Sequence, residues 1–400
     1  MKLSSFFLLI KEKVFLLTKY FLSLLFFAVP INKNKICFSS FYGKGISSDP
    51  KYVCDCLIDK GLKIVWASIN SSKISDKKVA YLNPNSIKWL YHKMTSSVWV
   101  DNCRTDMFFK RRKTLYINTW HGGSLQKKIE RDALNLSNGY IKKAKRDSKL
   151  ADYYLSNSEE FTSILKKSFW YSNDILAITS PRNDALIKMR SNSTTVSDIK
   201  KRLGLSPDTI IILYCPTFRD KTAQNIESID FDSLRKVLNG IKEANYAFLF
   251  RLHPNVLTTN YVSCFSNAID VTKYDDIQEL LAVSDILISD YSSVLYDYSF
   301  TDGIAIRYIP DLDSYRDERG FYHDINFYPW PIARSNSEMQ QLLKQFDKKK
   351  YFTNVNKYLI NTKQYSTRNP SSIISNIILD YINNNLSKKL LKEKIKEYIA

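Results

Sequence analysis

From Lys35 onward the chain alternates short apolar, β-rich runs with longer stretches of helical period. Runs at 36–38, 64–68, 98–100, 115–118, 153–155 and 175–178 predict strands in the first half, and runs at 210–214, 247–252, 286–288 and 304–308 predict strands in the second. Strands that alternate with helices indicate βαβ units and a mainly parallel sheet. The polar run 191–197, followed by a short basic helical stretch, places a domain boundary between 190 and 208. The reading is an α/β protein of two domains facing across a cleft, and 400 residues suffice for two cores.

Four of the predicted strands break into small, basic or His-containing residues: Asn118-Thr119-Trp120-His121-Gly122-Gly123-Ser124, Cys215-Pro216-Thr217-Phe218-Arg219, Arg251-Leu252-His253-Pro254 and Ser289-Asp290-Tyr291-Ser292-Ser293. Open α/β sheets bind ligands at the carboxyl ends of their strands, so the chemistry is expected there. His121 precedes two glycines, which lets its imidazole approach a ligand closely and makes it a candidate base. His253, between Arg251 and Pro254, reads as phosphate recognition. Ser292 or Ser293 as a helix N-cap would aim free backbone N–H groups into the cleft as an anion site. Asp290 is expected to orient a neighbouring histidine or a substrate hydroxyl, while Arg182 and Arg219 add fixed positive charge at two further strand ends. His92, in an amphipathic stretch, is expected to be structural. His323 is left open.

The N-terminal segment is rich in Phe and Leu, but Lys11, Glu12, Lys13 and Lys19 interrupt it, leaving only 20–31 uncharged after Lys19. A spanning helix needs about 20 predominantly apolar residues. With Ser4, Ser5, Lys11, Glu12, Thr18, Lys19 and Ser23 on one side of a helical wheel and most Phe and Leu on the other, the segment reads as an in-plane helix on a membrane surface. A basic helix at the C-terminus, with Leu391, Ile395, Tyr398 and Ile399 on one face, is expected to pack on its domain.

A net charge of +19 implies a polyanionic environment: nucleic acid, a phosphate-rich polymer or an anionic membrane. Charge alone does not choose, although no nucleic-acid-binding motif is visible. The six cysteines lack metal-site spacing and are expected as reduced, buried thiols. GxGxxG, GxxxxGK[ST] and GxSxG are absent, which disfavours Rossmann redox cofactors, P-loop hydrolysis and a hydrolase elbow. What remains is a cleft of Arg, His and helix N-termini suited to diphosphate chemistry without a metal or cofactor.

At these residues the sequence resembles the CDP-glycerol glycerophosphotransferases, the polyol-phosphate transferases of teichoic-acid and capsule synthesis. The resemblance rests on Phe38-Ser39-Ser40-Phe41-Tyr42-Gly43 with Asp49-Pro50-Lys51, Trp120-His121-Gly122, Pro181-Arg182-Asn183-Asp184, Pro216-Thr217-Phe218-Arg219, Arg251-Leu252-His253-Pro254, the stretch 284–293, and Tyr315 with Arg319-Gly320-Phe321-Tyr322. These motifs run in family order over about 36–325. After Trp-His-Gly the family usually reads Thr-Pro-Leu-Lys, whereas here it is Gly123-Ser124-Leu125-Gln126.

The resemblance implies a GT-B-like pair of Rossmann-type domains, divided here as 1–31 (membrane segment), 32–200 (acceptor side), 201–385 (CDP-polyol side) and 386–400 (basic helix). It also implies a CDP-polyol donor, a lipid-linked saccharide or growing anionic polymer as acceptor, and a peripheral enzyme on the cytoplasmic face of the membrane that releases CMP. His121 would be the base, with His253 and Asp290 beside it in the catalytic set. Gly122, Gly123, Ser124, Arg182, Pro216, Thr217, Arg219, Arg251, Ser289, Tyr291, Ser292 and Ser293 would line the substrates. A GT-B glycosyltransferase using a nucleotide-sugar and a non-catalytic polyanion-binding protein are the alternatives.

Overall fold

The computed structural model describes residues 2–71, 78–123, 126–217, 229–252 and 267–399, and in the first helix the side chains of Val14 and 16–27. In the first domain β1 (Asn32–Ser39), β2 (Lys63–Ala67), β3 (Val79–Leu82), β4 (Ser96–Asp101), β5 (Leu115–Asn118), β6 (Tyr153–Ser156) and β7 (Asp174–Ala177) form a sheet in the order β3-β2-β1-β4-β5-β6-β7. In the second, β8 (Ile210–Cys215), β9 (Tyr246–Phe250), β10 (Ile269–Asp270), β11 (Ile286–Ser289), β12 (Ile304–Tyr308) and β13 (Ile332–Ala333) run β10-β9-β8-β11-β12-β13. The pairings are parallel, for example Ile36 with Val98 and Ile288 with Tyr214. Both sheets carry apolar side chains on both faces, as a sheet covered by helices on each side requires.

The ten expected strands are present. The three not foreseen, β3, β10 and β13, are short edge strands; β10 is exposed throughout, so it has no apolar run to betray it. Strand order reverses between β1 and β4 and again between β8 and β11, and at such switch points the loops diverge and leave a crevice.

Two expected boundaries move. Leu186 in the helix Pro181–Arg190 and Ile199 in the helix Ser193–Arg202 are buried in the second domain's core, so the division falls before Pro181 rather than between 190 and 208. The polar run there starts a helix: Asn192 accepts the Thr195 N–H at 3.0 Å as N-cap. At the other end, the helices Pro370–Asn383 and Lys388–Ile399 return to the first domain. Ile374, Ile377, Ile378, Ile382, Leu391 and Ile395 complete its core beside Ile36 and Val53, each such burial being worth roughly 1.5–3 kcal/mol. Residues 370–399 therefore belong to the first domain, not to a 201–385 unit followed by a separate helix. Lys388 fixes the return through Asp152 at 2.7 Å.

The N-terminal helix spans Lys2–Phe27. Leu22 and Phe26 pack on the first domain, Ser23 donates to the Lys19 carbonyl at 2.7 Å, and Lys19 pairs with Asp106. Lys19 and Ser23 thus face protein alongside Leu22 and Phe26. Leu17, Phe21 and Leu25 face outward at 57%, 60% and 66% exposure, so apolar side chains remain on the side away from the protein. No described helix is long and apolar enough to cross a membrane.

Candidate active site at the domain interface

His121 leaves the carboxyl end of β5 on a backbone shaped by its neighbours. Asn118 accepts the Trp120 N–H at 2.9 Å and donates to the Cys103 carbonyl at 3.0 Å, closing a tight turn. Trp120 then adopts φ +53°, a left-handed conformation costly for a bulky residue. Packing repays the strain: the Trp120 ring stacks on the His121 imidazole at 4.4 Å, and the buried Arg104 guanidinium lies 5.6 Å from it. Glu130 at 2.6 Å, Asp147 at 3.0 Å and the Tyr154 hydroxyl at 2.9 Å hold Arg104 in place.

The imidazole itself is oriented by one bond: Nδ1–H donates to the Asn102 carbonyl at 2.6 Å. Nε2 is thereby left unprotonated, the tautomer a base needs. Burial pulls the pKa down to about 4, and the charges of Arg182, Lys127 and Arg104 act the same way against the Asn102 bond. At neutral pH the ring is uncharged.

From the second domain, Asp290 follows β11 and is buried. Its carboxylate accepts the Thr217 N–H and hydroxyl, each at 3.0 Å, and the Tyr291 N–H at 2.6 Å. It therefore shapes the loop leaving β8, including Pro216. Ser289 is also structural, donating to the Cys215 carbonyl at 2.5 Å, and Tyr291 stacks on Tyr315 at 3.8 Å. Ser293 is the N-cap residue but makes no side-chain cap bond, whereas the Ser292 hydroxyl receives the Val294 N–H at 3.4 Å. Arg251, at the end of β9, donates to the Tyr274 carbonyl and forms no ion pair among the described residues. Burial lowers its pKa, which marks a guanidinium short of counter-charge.

Arg182 is not a substrate ligand here. It is buried, with Asp49 at 2.7 Å and Asp297 at 2.9 Å, and so joins a helix of the first domain to one of the second. Gly123 likewise meets protein: a Cβ there would stand 2.2 Å from Tyr296 Cε1 and 2.6 Å from Asn157 Nδ2. Gly122 lies buried in the same turn. His92 is half-buried, with its pKa drawn down to about 4 by burial. His323 pairs with Glu160 at 2.5 Å across the two domains. Ser124, Arg219 and His253 lie outside the described residues.

The loop after His121 is drawn onto the second domain. Tyr322 N–H donates to the Gln126 carbonyl at 2.9 Å and Lys128 N–H to the Gly320 carbonyl at 3.1 Å, while Gln126 Nε2 reaches the Asp290 carbonyl at 3.4 Å. The His121 loop and the stretch 289–293 thus lie in contact where the two domains meet. Sequence reasoning missed Asn102, Arg104 and the buried Gln126. Asn102 directly follows β4, and the strand-end rule could have found it; Gln126 stood out only as a departure from the family pattern, and Arg104 carries no local signal.

Two parallel-sheet domains with a neutral, pre-oriented histidine on one and an Arg- and Ser-lined loop cluster on the other define a GT-B-like transferase. Residues 21–380 match the CDP-Glycerol:Poly(glycerophosphate) glycerophosphotransferase family, and the chain belongs to it. Among curated relatives, the teichoic acid glycerol-phosphate transferase of Staphylococcus aureus (strain NCTC 8325 / PS 47) is 34% identical over 79% of this chain and 85% of its own length. The teichoic acid poly(glycerol phosphate) polymerase of Bacillus subtilis (strain 168) is 32% identical over 84% of this chain but only 47% of its own. A solved structure of the wall teichoic acid polymerase TagF superposes with a TM-score of 0.81 at 27% identity, covering 94% of this chain and 96% of that one.

Proposed function

We propose that the chain transfers glycerol phosphate from CDP-glycerol to a hydroxyl of a lipid-linked saccharide or growing polyol-phosphate chain, at the surface of an anionic membrane. The observation that carries the reading is the His121–Asn102 bond, which presents an uncharged Nε2 at the interface where the two domains' loops meet. The acceptor O–H gives its proton to Nε2 as its oxygen bonds to the β-phosphorus. The bond from that phosphorus to the bridging oxygen breaks, and CMP leaves with the electron pair. General-base assistance is worth about 10²- to 10⁴-fold, and neutralising the diphosphate supplies at least as much. Arg251 and the Ser292 and Ser293 turn serve that second task, with Arg219 and His253 assigned to it by family resemblance.

Glycerol is favoured over ribitol because the glycerol-phosphate enzymes named above match at 32–34%, whereas a poly(ribitol-phosphate) polymerase of Bacillus spizizenii (strain ATCC 23059 / NRRL B-14472 / W23) matches at 26%. Membrane attachment is supported by the outward-facing Leu17, Phe21 and Leu25 and by Arg111, whose guanidinium lies 5.1 Å from the Phe27 ring. Purified protein given CDP-glycerol or CDP-ribitol with a lipid acceptor decides the matter. CMP release with CDP-glycerol, and β-phosphate label in the polymer, is the expected result; label retained on the nucleotide would make the enzyme a glycosyltransferase.

A further inference from the structure

A cavity of about 290 Å³ opens in the first domain at the carboxyl ends of β1 and β4. That is close to the lower size of about 300 Å³ for small-molecule sites. Tyr42, Trp89, Cys103, Asp106 and Lys143 are among its walls. Cys103 Sγ is 3.7 Å from His121 Nδ1, so a single side chain separates the cavity from the edge of the imidazole that Asn102 holds. On another side, Asp106 is the residue that holds Lys19 of the N-terminal helix. The cavity therefore lies between the outward-facing apolar helix and the imidazole.

Its chemistry is specific. Tyr42 and Trp89 offer aromatic surface, and the Lys143 ammonium sits 4.6 Å from the Tyr42 ring centre. Lys143 is half-buried and forms no ion pair among the described residues. Burial lowers its pKa and outweighs the opposing pull of the Asp106 and Asp147 carboxylates, neither of which pairs with it directly. The backbone is bent to build this wall: Phe41 and Tyr42 follow each other at φ +45° and +58°, a strain that bulky residues keep only where the surroundings enforce it.

We infer that this cavity is the acceptor subsite, taking the phosphate-bearing polyol or sugar unit behind the reacting hydroxyl. The carbon skeleton lies against Tyr42 and Trp89, and the phosphate meets Lys143. This rests on the transfer reading, in which His121 faces the acceptor. It also gives the membrane helix a purpose, since an acceptor held in lipid reaches the cavity from the side on which that helix docks.

The experiment compares Lys143→Met and Lys143→Arg with wild type. Calorimetric binding of glycerol 3-phosphate, which requires no turnover, is expected to weaken by about tenfold or more in K143M and to recover in K143R. In transfer assays the acceptor KM should rise by a similar factor while the CDP-glycerol KM stays put. Equal glycerol 3-phosphate binding by K143M and wild type overturns the subsite, whether or not CMP is released. Binding that depends on Lys143 in a protein that never releases CMP from CDP-glycerol supports the subsite and overturns the transfer reading alone.

Discussion

His121 and Asn102 leave adjacent strands and meet 2.6 Å apart, a backbone carbonyl fixing which imidazole nitrogen carries the proton. Because that acceptor is main chain, the tautomer does not depend on any side chain that substitution could remove. His121→Gln is expected to lower turnover at least about 10²-fold while CDP-glycerol binding persists. Turnover within threefold of wild type in a folded variant would end the base assignment.

The pH profile follows from the depressed pKa. His121 titrates near 4 in the folded chain against about 6.5 when unfolded, so the base stays competent as pH falls from 7 to about 5 and is lost through about 4. Between those two values the unfolded chain binds the extra proton, so folding stability also declines as pH falls from about 6.5 to about 4. Circular dichroism across the range separates the two effects. An acid limb centred near 6.5 in a fully folded protein would contradict the burial.

Arg182→Met should destabilise the protein by about 3–5 kcal/mol, because it leaves Asp49 and Asp297 buried without their partner. Denaturant melts measure this. The remaining folded fraction should bind CDP-glycerol as wild type does; weakened binding with unchanged stability would return Arg182 to the substrate.

Gly123→Ala forces a methyl to within 2.2 Å of Tyr296 Cε1 and should cost about 1–3 kcal/mol, with loss of activity as the two domains are wedged apart. Tyr296→Leu in the same chain should recover part of that loss. Strictly additive costs would mean that the clash is relieved elsewhere.

Removing 2–27 should shift the protein from the membrane to the soluble fraction and retain transfer to a soluble acceptor. It also uncovers Tyr91 and Phe109, which Phe26 and Phe27 now cover at ring distances of 5.4 and 5.9 Å. Retention of the truncated protein in membranes through a carbonate wash would place the anchor elsewhere.

The sheets were legible because buried parallel strands are apolar runs, and His121 was legible because glycines follow it at a strand end. Arg182 misled for an instructive reason. A buried ion triad and a phosphate site both call for an arginine at a helix start, and only the positions of Asp49 and Asp297, more than a hundred residues away on either side, tell them apart. The hold of Asp290 on the Thr217 amide was not legible, since Thr217 lies in the loop after β8, seventy-three residues earlier. The return of the last helices to the first domain is likewise invisible locally, because their amphipathic faces fit either core.

That return has a consequence for how the protein is made. A ribosome delivers residues 32–180 long before it delivers Ile374, Ile377 and Leu391, so the first domain emerges with one side of its sheet only partly covered and stays so while the entire second domain is synthesised. The second domain, from Pro181 on, has its own complete core by the time Tyr358 emerges and is the first able to close. Synthesis order and folding order are therefore opposed in this chain, and a nonsense codon at Pro370 would leave the earlier-made domain unfinished.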